Sequence, residues 1–186
     1  MSTIEVNSIQ PLSSGTTVTL GASGKTFTIP SGCTITNSGT ATGFGGGKVG
    51  QVVNFTTSTQ LSSSSSSYVD TGLVASITPS ATSSKIYAQF FSMCGVERAN
   101  ADLSWQCKML RDSTDIWTGG NQGYHFYVAG VGEIHGHVAQ TFLYIDSPNS
   151  TSSLSYKMQV KTVSSSTIKW QYQSTVGSLI LTEILA

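Results

Sequence analysis

Short alternations of apolar and hydroxyl side chains run through most of the chain. In residues 1–42 they are only three to five residues long, as in Thr17-Val18-Thr19-Leu20 and Thr26-Phe27-Thr28-Ile29, and turns rich in Gly and Ser separate them. A period of two is typical of β-strands with one buried face. Strands this short cannot enclose a core within about 40 residues. The pattern therefore predicts a β-rich arm that orders by packing against other chains; the alternative is a flexible tail.

Longer alternations in residues 49–186 predict a single β domain. An apolar strand closes the chain, and a terminal strand is usually ordered because it is tied into a sheet. Small jelly rolls with such a last strand associate side by side as trimers, so by analogy we expect an all-β, jelly-roll-like β-sandwich head that forms a trimer. The predicted strands are Val49–Thr57, Tyr68–Ile77, Lys85–Cys94, Leu103–Arg111, Tyr124–Val128, Glu133–Ile145, Leu154–Val160, Ile168–Tyr172 and Leu179–Leu185.

Two of these strands carry further information. Leu103 to Met109 places Leu, Trp, Cys and Met at alternate positions, so Ser104, Gln106 and Lys108 are predicted to face solvent. Lys85–Cys94 has aromatic residues on both faces, which predicts cover on both sides. The segments Ser62–Ser67 and Asp112–Tyr127 are predicted to be loops, and Glu97–Leu103 to make one helical turn.

A cluster of glycines separates the arm from the head. Glycine in the interior of a helix or strand costs backbone entropy and offers no side chain to pack, so residues 43–48 are predicted to be a hinge. The segment Gly45-Gly46-Gly47-Lys48-Val49-Gly50 also fits G-x-G-x-x-G, but a strand pattern follows it where a dinucleotide site needs a helix. We therefore predict no bound cofactor. The hinge glycines are Gly43, Gly45, Gly46 and Gly47.

Polarity comes from hydroxyl groups and hardly from charge. The chain has 31 Ser and 24 Thr but only nine Lys and Arg and nine Asp and Glu, with zero net charge. Scattered basic residues do not form a phosphate-binding surface, so nucleic acid is excluded as a partner. No apolar run is long enough to cross a membrane, and the first residues do not form a secretory signal. Cys33, Cys94 and Cys107 are odd in number and lack metal-ligand spacing, which favours free thiols and synthesis in a reducing cytoplasm.

One strand carries a set of possible metal ligands. Glu133, His135 and His137 alternate on one face of the strand Glu133–Ile145, and imidazole with carboxylate suits a transition metal. Three chains meeting along that face can share such ligands around an axis. The alternative is a polar strand face at a subunit contact or in solvent. Spacing is the only support, so we predict no metal and name these three as the set that would hold one.

The segment Asp112–Tyr127 is the best candidate for a recognition surface. It combines aromatic side chains with amide and hydroxyl groups among glycines, a composition that suits sugars and protein partners. The residues assigned to recognition are Trp117, Tyr124 and Tyr127. Asp112 and Asp115 lie in the same segment and are interpreted as a solvated turn. No nucleophile with a base and an orienting group is visible, so no catalytic residue is predicted.

Residues 1–94 resemble the virion surface proteins of tailed phages, notably marine and cyanobacterial ones. The resemblance lies in the arm, from Ser2-Thr-Ile-Glu-Val-Asn-Ser-Ile-Gln through Gly39-Thr-Ala-Thr-Gly-Phe-Gly, and in the stretch that begins Tyr68-Val-Asp-Thr-Gly-Leu-Val. It implies a non-enzymatic tail-fibre or fibre-like protein, often trimeric, on the surface of the particle.

We therefore expect a short trimeric fibre or spike, made in the host cytoplasm and assembled into the virion. Its arm docks on other virion proteins, and its head faces outward to bind a host surface glycan or protein. One alternative is a capsid decoration or head-fibre protein whose arm grips the capsid. Another is a carbohydrate-binding or carbohydrate-active domain on the virion.

Overall fold

The computed structural model describes residues 48–98, 102–120, 124–127, 134–164 and 166–185, together with Ile9, Thr26, Thr28 and residues 31–33. The chain divides into two units, residues 1–42 and 43–186. Within the first unit, Ser31 and Gly32 form a turn, and Gly32 has a φ of 86°. Of the short strands predicted for the arm, only Ile9, Thr26 and Thr28 are described, and these three are exposed and outside any strand. The rest of the arm and the four hinge glycines lie outside the described residues, so the arm and the hinge stay predictions.

The described part of the second unit is almost entirely β-structure. One short 3-10 segment, Tyr172–Ser174, interrupts the strands. None of the described residues belongs to a helix long and apolar enough to cross a membrane. The strands are β1 (Val49–Thr57), β2 (Leu61–Ser63), β3 (Val69–Ile77), β4 (Lys85–Arg98), β5 (Asp102–Arg111), β6 (Thr114–Thr118), β7 (Tyr124–Tyr127), β8 (Ile134–Asp146), β9 (Leu154–Thr162), β10 (Thr167–Trp170) and β11 (Gly177–Ile184).

Sheet A is built around the long strand β4. On one side β4 pairs with β8 from Ile86 to Arg98. On the other side it pairs with β11 along its first half and with β10 along its second half. Strands β1 and β2 then pair with β11 and β10. Sheet A is therefore four strands wide, and β8 forms one edge among the strands described.

Sheet B has the same width. Strand β9 pairs with β3 on one side and with β5 on the other. The free side of β5 pairs with β7 near its start and with β6 near its end. All the pairings in both sheets are antiparallel. Two antiparallel sheets of this width confirm the predicted all-β fold with a jelly-roll-like sandwich.

The core fills the space between the sheets. Trp105 and Trp170 are fully buried, as are Phe90, Tyr156 and Met158. Burying one large apolar side chain contributes about 1.5–3 kcal/mol, so these alternating inner positions are the main source of stability. The expectation that the last strand is tied into a sheet is confirmed, because β11 lies between β1 and β4.

Several local predictions were wrong. The predicted loop Ser62–Ser67 begins within β2, which pairs with β10. Strand β4 continues to Arg98 and β5 starts at Asp102, so the helical turn predicted at Glu97–Leu103 is not formed by the described residues. The predicted strand Ile168–Tyr172 ends at Trp170 because Gln171 adopts a left-handed conformation with a φ of 51°. These features depend on pairing partners far along the chain, which local patterns do not encode.

The alternation predicted for β5 is confirmed on one face and wrong on the other. Leu103, Trp105, Cys107 and Met109 are buried as expected. Ser104 and Gln106 are buried too, because other segments cover them. The Ser104 side chain hydrogen-bonds the Ser164 hydroxyl at 2.8 Å, and Gln106 Nε2 donates to the Gly119 carbonyl at 2.6 Å.

Candidate functional site

An aromatic cleft opens between an edge of sheet A and an edge of sheet B. Strand β8 forms this edge of sheet A, and β6 and β7 form the edge of sheet B. Because the side chains of both edges line the opening, neither sheet alone would form it. The cleft has a volume of about 320 Å³. Its lining consists of Trp105, Cys107, Trp117, Gly119, Gly120, Tyr124, Thr141 and Phe142.

Aromatic contacts hold the walls of this cleft in place. Tyr124 stacks on the buried Trp105, with ring centroids 4.9 Å apart and planes 11° apart. Trp117 tilts against Phe142 at 5.3 Å, and this contact joins β6 to β8 across the two sheets. Phe142 in turn lies 6.3 Å from the buried Trp170. The walls are therefore anchored in the core, and Trp117 and Tyr124 stay partly exposed.

Two glycines shape the mouth of the cleft. A side chain at Gly119 would come within 3.3 Å of the Cys107 carbonyl and of the Trp117 ring. Glycine at this position therefore lets the ring of Trp117 lie close to β5, and the Gly119 amide donates to the Cys107 carbonyl at 2.9 Å. At Gly120 a Cβ atom would meet nothing within 4 Å. This position can accept a larger side chain without backbone strain.

The chemistry of the cleft is that of a binding site for a neutral ligand. Among the described residues, none that lines the cleft is an acid, a base or a histidine. Burial raises the pKa of the Cys107 thiol, so the group stays protonated and is not a nucleophile. A charged ligand entering here would lose its hydration without gaining an ionic partner. Aromatic faces with a few hydroxyl and backbone groups instead favour a ligand that is partly apolar and partly hydrogen-bonding.

The structure brings two of the three predicted recognition residues together. Trp117 and Tyr124 both line the cleft. Tyr127 does not, although it is 66% exposed. The surrounding segment Asp112–Tyr127 is not a loop throughout, since it contains β6, which was not predicted, and β7, which lies in the predicted strand Tyr124–Val128.

A tight turn starts β6. Asp112 takes a left-handed conformation there, with a φ of 53°. Its amide donates to the Ser155 carbonyl at 2.7 Å, and its Oδ1 accepts from the Ser155 amide at 2.9 Å. The side chain of Asp115 pairs with Lys108 at 2.9 Å. Neither carboxylate reaches the cleft lining.

The other candidate sites are only partly visible. His137 is exposed on β8, and its ring stacks on Tyr172 with centroids 4.3 Å apart. Glu133 and the side chain of His135 lie outside the described residues, so the metal set cannot be assembled from the structure. Among the described side chains, no three of His, Cys, Asp and Glu group closely enough to hold a metal. Cys33, Cys94 and Cys107 are free thiols, the last two buried.

Several residues that line the cleft were not predicted from the sequence. Trp105 faces the core as predicted. It also lines the cleft, where Tyr124 stacks on it, and the sequence did not indicate this contact. Phe142 and Thr141 lie on a strand well separated from β5 and β6 in sequence, and no local pattern links them. The one available signal was Gly119-Gly120 two residues after Trp117, which marks a close approach of backbone and ring.

The sequence matches no protein-family model, and no curated protein matches it significantly. Several solved structures do match in fold. One is that of T=1 particles derived from infectious bursal virus, with 15% identity and a TM-score of 0.39, covering 74% of this chain and 37% of that one. Another is the infectious bursal disease virus VP2 subviral particle, with 14% identity and a TM-score of 0.36, covering 74% and 38%. This chain thus spans less than two fifths of the length of either.

Proposed function

We propose that the chain is a non-enzymatic structural protein of a phage virion, a short trimeric fibre or spike. Its N-terminal arm docks on other virion proteins, and its sandwich head recognises a neutral glycan on the host surface. The resemblance of residues 1–94 to phage surface proteins supports the virion assignment. The observation that carries the recognition role is the uncharged aromatic cleft, with Trp117 and Tyr124 partly exposed in its lining.

The cleft suits a sugar ring in size and in chemistry. Its volume of about 320 Å³ lies at the lower end of the range for small-molecule sites. A pyranose presents an apolar C–H face that packs on an aromatic ring, while its hydroxyl groups need hydrogen-bonding partners. The lining residues that can supply such groups are Tyr124, through its hydroxyl, and Gly120, through its backbone. The rings are already positioned by Trp105 and Phe142, so binding requires little ordering of side chains.

The position of the protein on purified particles tests the virion assignment. Labelling with an antibody against the head, viewed by electron microscopy, should mark the tail. Signal confined to the capsid would replace the fibre with the capsid decoration protein. If the host expresses the protein but the purified particles carry no signal, the virion assignment is wrong.

Removing one wall of the cleft should weaken glycan binding. An array of neutral oligosaccharides first identifies the best binder of the full chain, and tryptophan fluorescence titration then measures its Kd. Trp117→Ala is expected to raise this Kd at least about 10-fold, since one aromatic contact is worth about 1.4 kcal/mol or more. Gly120→Trp should have a similar effect by filling the opening, because a Cβ atom there meets no atom within 4 Å and leaves room for the ring. Tyr127→Ala is the matched control and should change the Kd less than about 2-fold.

Two results would contradict the recognition role. One is an array on which the folded chain binds no neutral saccharide. The other is a loss of binding in Tyr127→Ala equal to that in Trp117→Ala. Either result would leave the particle-labelling experiment, and with it the virion assignment, unaffected.

A further inference from the structure

The two sheets present outer faces with opposite chemistry. The outer face of sheet B is charged: Lys108 pairs with Asp115 at 2.9 Å, and Lys157 pairs with Asp70 at 3.1 Å. Lys161 also lies on this face, above the ring of Tyr68. Such a surface is typical of one that faces solvent.

The outer face of sheet A carries apolar side chains on each of its four strands, with uncharged polar ones such as Gln89 and Asn54 between them. Ile145 on β8 lies opposite Tyr87 on β4, and Leu143 lies opposite Gln89. Gln89 in turn lies opposite Ile180 on β11. These side chains thus form rows across the sheet and not isolated apolar positions. The apolar members of the face are Val52, Tyr87, Phe91, Met93, Ala139, Leu143, Ile145 and Ile180.

Charge occurs only at the two ends of this face among the described residues of β1, β4, β8, β10 and β11. Lys85 lies at one end, and the Glu97–Lys169 ion pair, at 2.6 Å, lies at the other. The positions between them are apolar or uncharged polar. An apolar centre with a charged rim is the usual anatomy of a protein–protein interface. The few charged residues that the structure describes are therefore unevenly distributed: on sheet B they lie across the outer face, and on sheet A they lie only at its two ends.

The face is large enough to form part of an interface. Four strands about 4.8 Å apart, with rows over about 20 Å, give a flat area of about 400 Å². Each partner in a standard interface buries about 800 Å² of accessible surface, which exceeds the flat area because side chains make it rough. Leu143 and Ile145 are each 54% exposed, so a partner would remove substantial apolar surface from water.

Strand β8 adds a second reason for a protein partner. It pairs with β4 along one side and with none of the other described strands along its second side. A long edge strand with unpaired backbone groups beside an apolar face associates with other chains unless something covers it. The edge and the face are contiguous, so one partner can cover both.

We propose that the outer face of sheet A, with the β8 edge, is the surface through which one head binds a second copy of the chain. A neutral face on a chain of zero net charge complements another neutral surface and offers nothing to a charged partner. In a closed ring of three, the face of one copy meets a different surface of the next. The inference rests on the self-association in the proposed function and assigns it to these residues.

The mass of the full chain in solution tests the assignment. At micromolar concentration, sedimentation analysis should give about three times 19.6 kDa for the unmodified protein. Leu143→Lys with Ile145→Lys is expected to give 19.6 kDa and to raise the dissociation constant at least about 100-fold, because each lysine would lose hydration at the contact. Both side chains are about half exposed, so one folded copy tolerates the change.

The control is Val74→Lys, which places a lysine on the outer face of sheet B, at a valine that is 42% exposed. It should leave the mass unchanged. Leu143→Ser with Ile145→Thr removes the apolar groups without adding charge and should also weaken association, so the proposal stays testable if the lysine variant misfolds by circular dichroism. An oligomer that survives the folded Leu143 and Ile145 variants would overturn the interface and leave the proposed function standing. A monomeric unmodified chain would overturn both the interface and the self-association.

Discussion

Replacing Glu183 by Gln is expected to lower the free energy of unfolding by about 3 kcal/mol at pH 7. Glu183 lies on β11 and is only 1% exposed. Its Oε1 accepts from the Ser80 amide at 2.6 Å and from the Ser80 hydroxyl at 2.7 Å, and its Oε2 accepts from Gln51 Nε2 at 2.8 Å. The carboxylate thus ties β1 and β11 to the connection between β3 and β4. An amide at 183 would turn one acceptor into a donor facing another donor.

The pH dependence of stability should carry the signature of this carboxylate. Burial alone would raise the pKa of Glu183, but the hydrogen bonds from Gln51 and Ser80 outweigh burial and lower it from 4.5 to about 2. A pKa that is lower in the folded state stabilises the protein above pH 4.5, and this stabilisation is lost as the pH falls from 4.5 towards 2. At about 1.4 kcal/mol per unit the whole effect is about 3 kcal/mol.

Urea unfolding of both proteins between pH 7 and pH 2 measures this contribution. The difference between the unmodified protein and Glu183→Gln should be largest near pH 7 and should shrink below pH 4.5. Glu97→Gln is the control, because it makes the same chemical change at the Glu97–Lys169 ion pair near the surface, where the expected cost is below about 1 kcal/mol. A difference that stays constant over this pH range would show that the ionised carboxylate is not the source.

Replacing Asp146 by Ala is expected to cost about 3 kcal/mol of stability. Asp146 ends β8 in sheet A, and its Oδ2 accepts from two groups of sheet B. Arg111 Nη1 donates at 2.6 Å, and the Tyr156 hydroxyl donates at 2.7 Å. Burial, together with the hydrogen bond to Asp146, raises the pKa of Tyr156, so the hydroxyl stays a donor. Without the carboxylate, this fully buried hydroxyl and the guanidinium would both lose their acceptor.

Chemical denaturation of a double-mutant cycle measures this tie between the sheets. Asp146→Ala, Tyr156→Phe and their combination should give a coupling energy above about 1 kcal/mol. Asp70→Ala serves as the control, since Asp70 makes its ion pair with Lys157 on an exposed strand face and its loss should cost less than about 1 kcal/mol. Additive effects of the Asp146 and Tyr156 changes would mean that the bond does not stabilise the sandwich.

Neither polar contact was predictable from the sequence. Glu183 and Asp146 are single acids at the ends of strand patterns, where a solvated charge is the ordinary expectation. Their burial follows from partners that lie 103 and 35 residues away. The same holds for the cleft. Trp117 and Tyr124 were found from composition, but the opposite wall formed by Phe142 was not.

The outer face of sheet A was predictable from the sequence only in part. Aromatic residues on both faces of Lys85–Cys94 predicted cover on both sides; the inner face is buried, the outer face is half exposed, and its cover stays a prediction. The sequence did not show that β8 and β11 continue the apolar rows, or that the charged residues of the face collect at its two ends. That arrangement requires the register of four strands.

The sequence by itself determined the all-β class and the approximate positions of most strands in the head. The physical reason is that alternation with period two is a local property, present within each strand whatever its partners are. Only the tertiary structure decided which strands share an edge, which polar groups are buried, and which aromatic rings meet. Those outcomes depend on pairing and on packing between the sheets, which join residues that are distant along the chain.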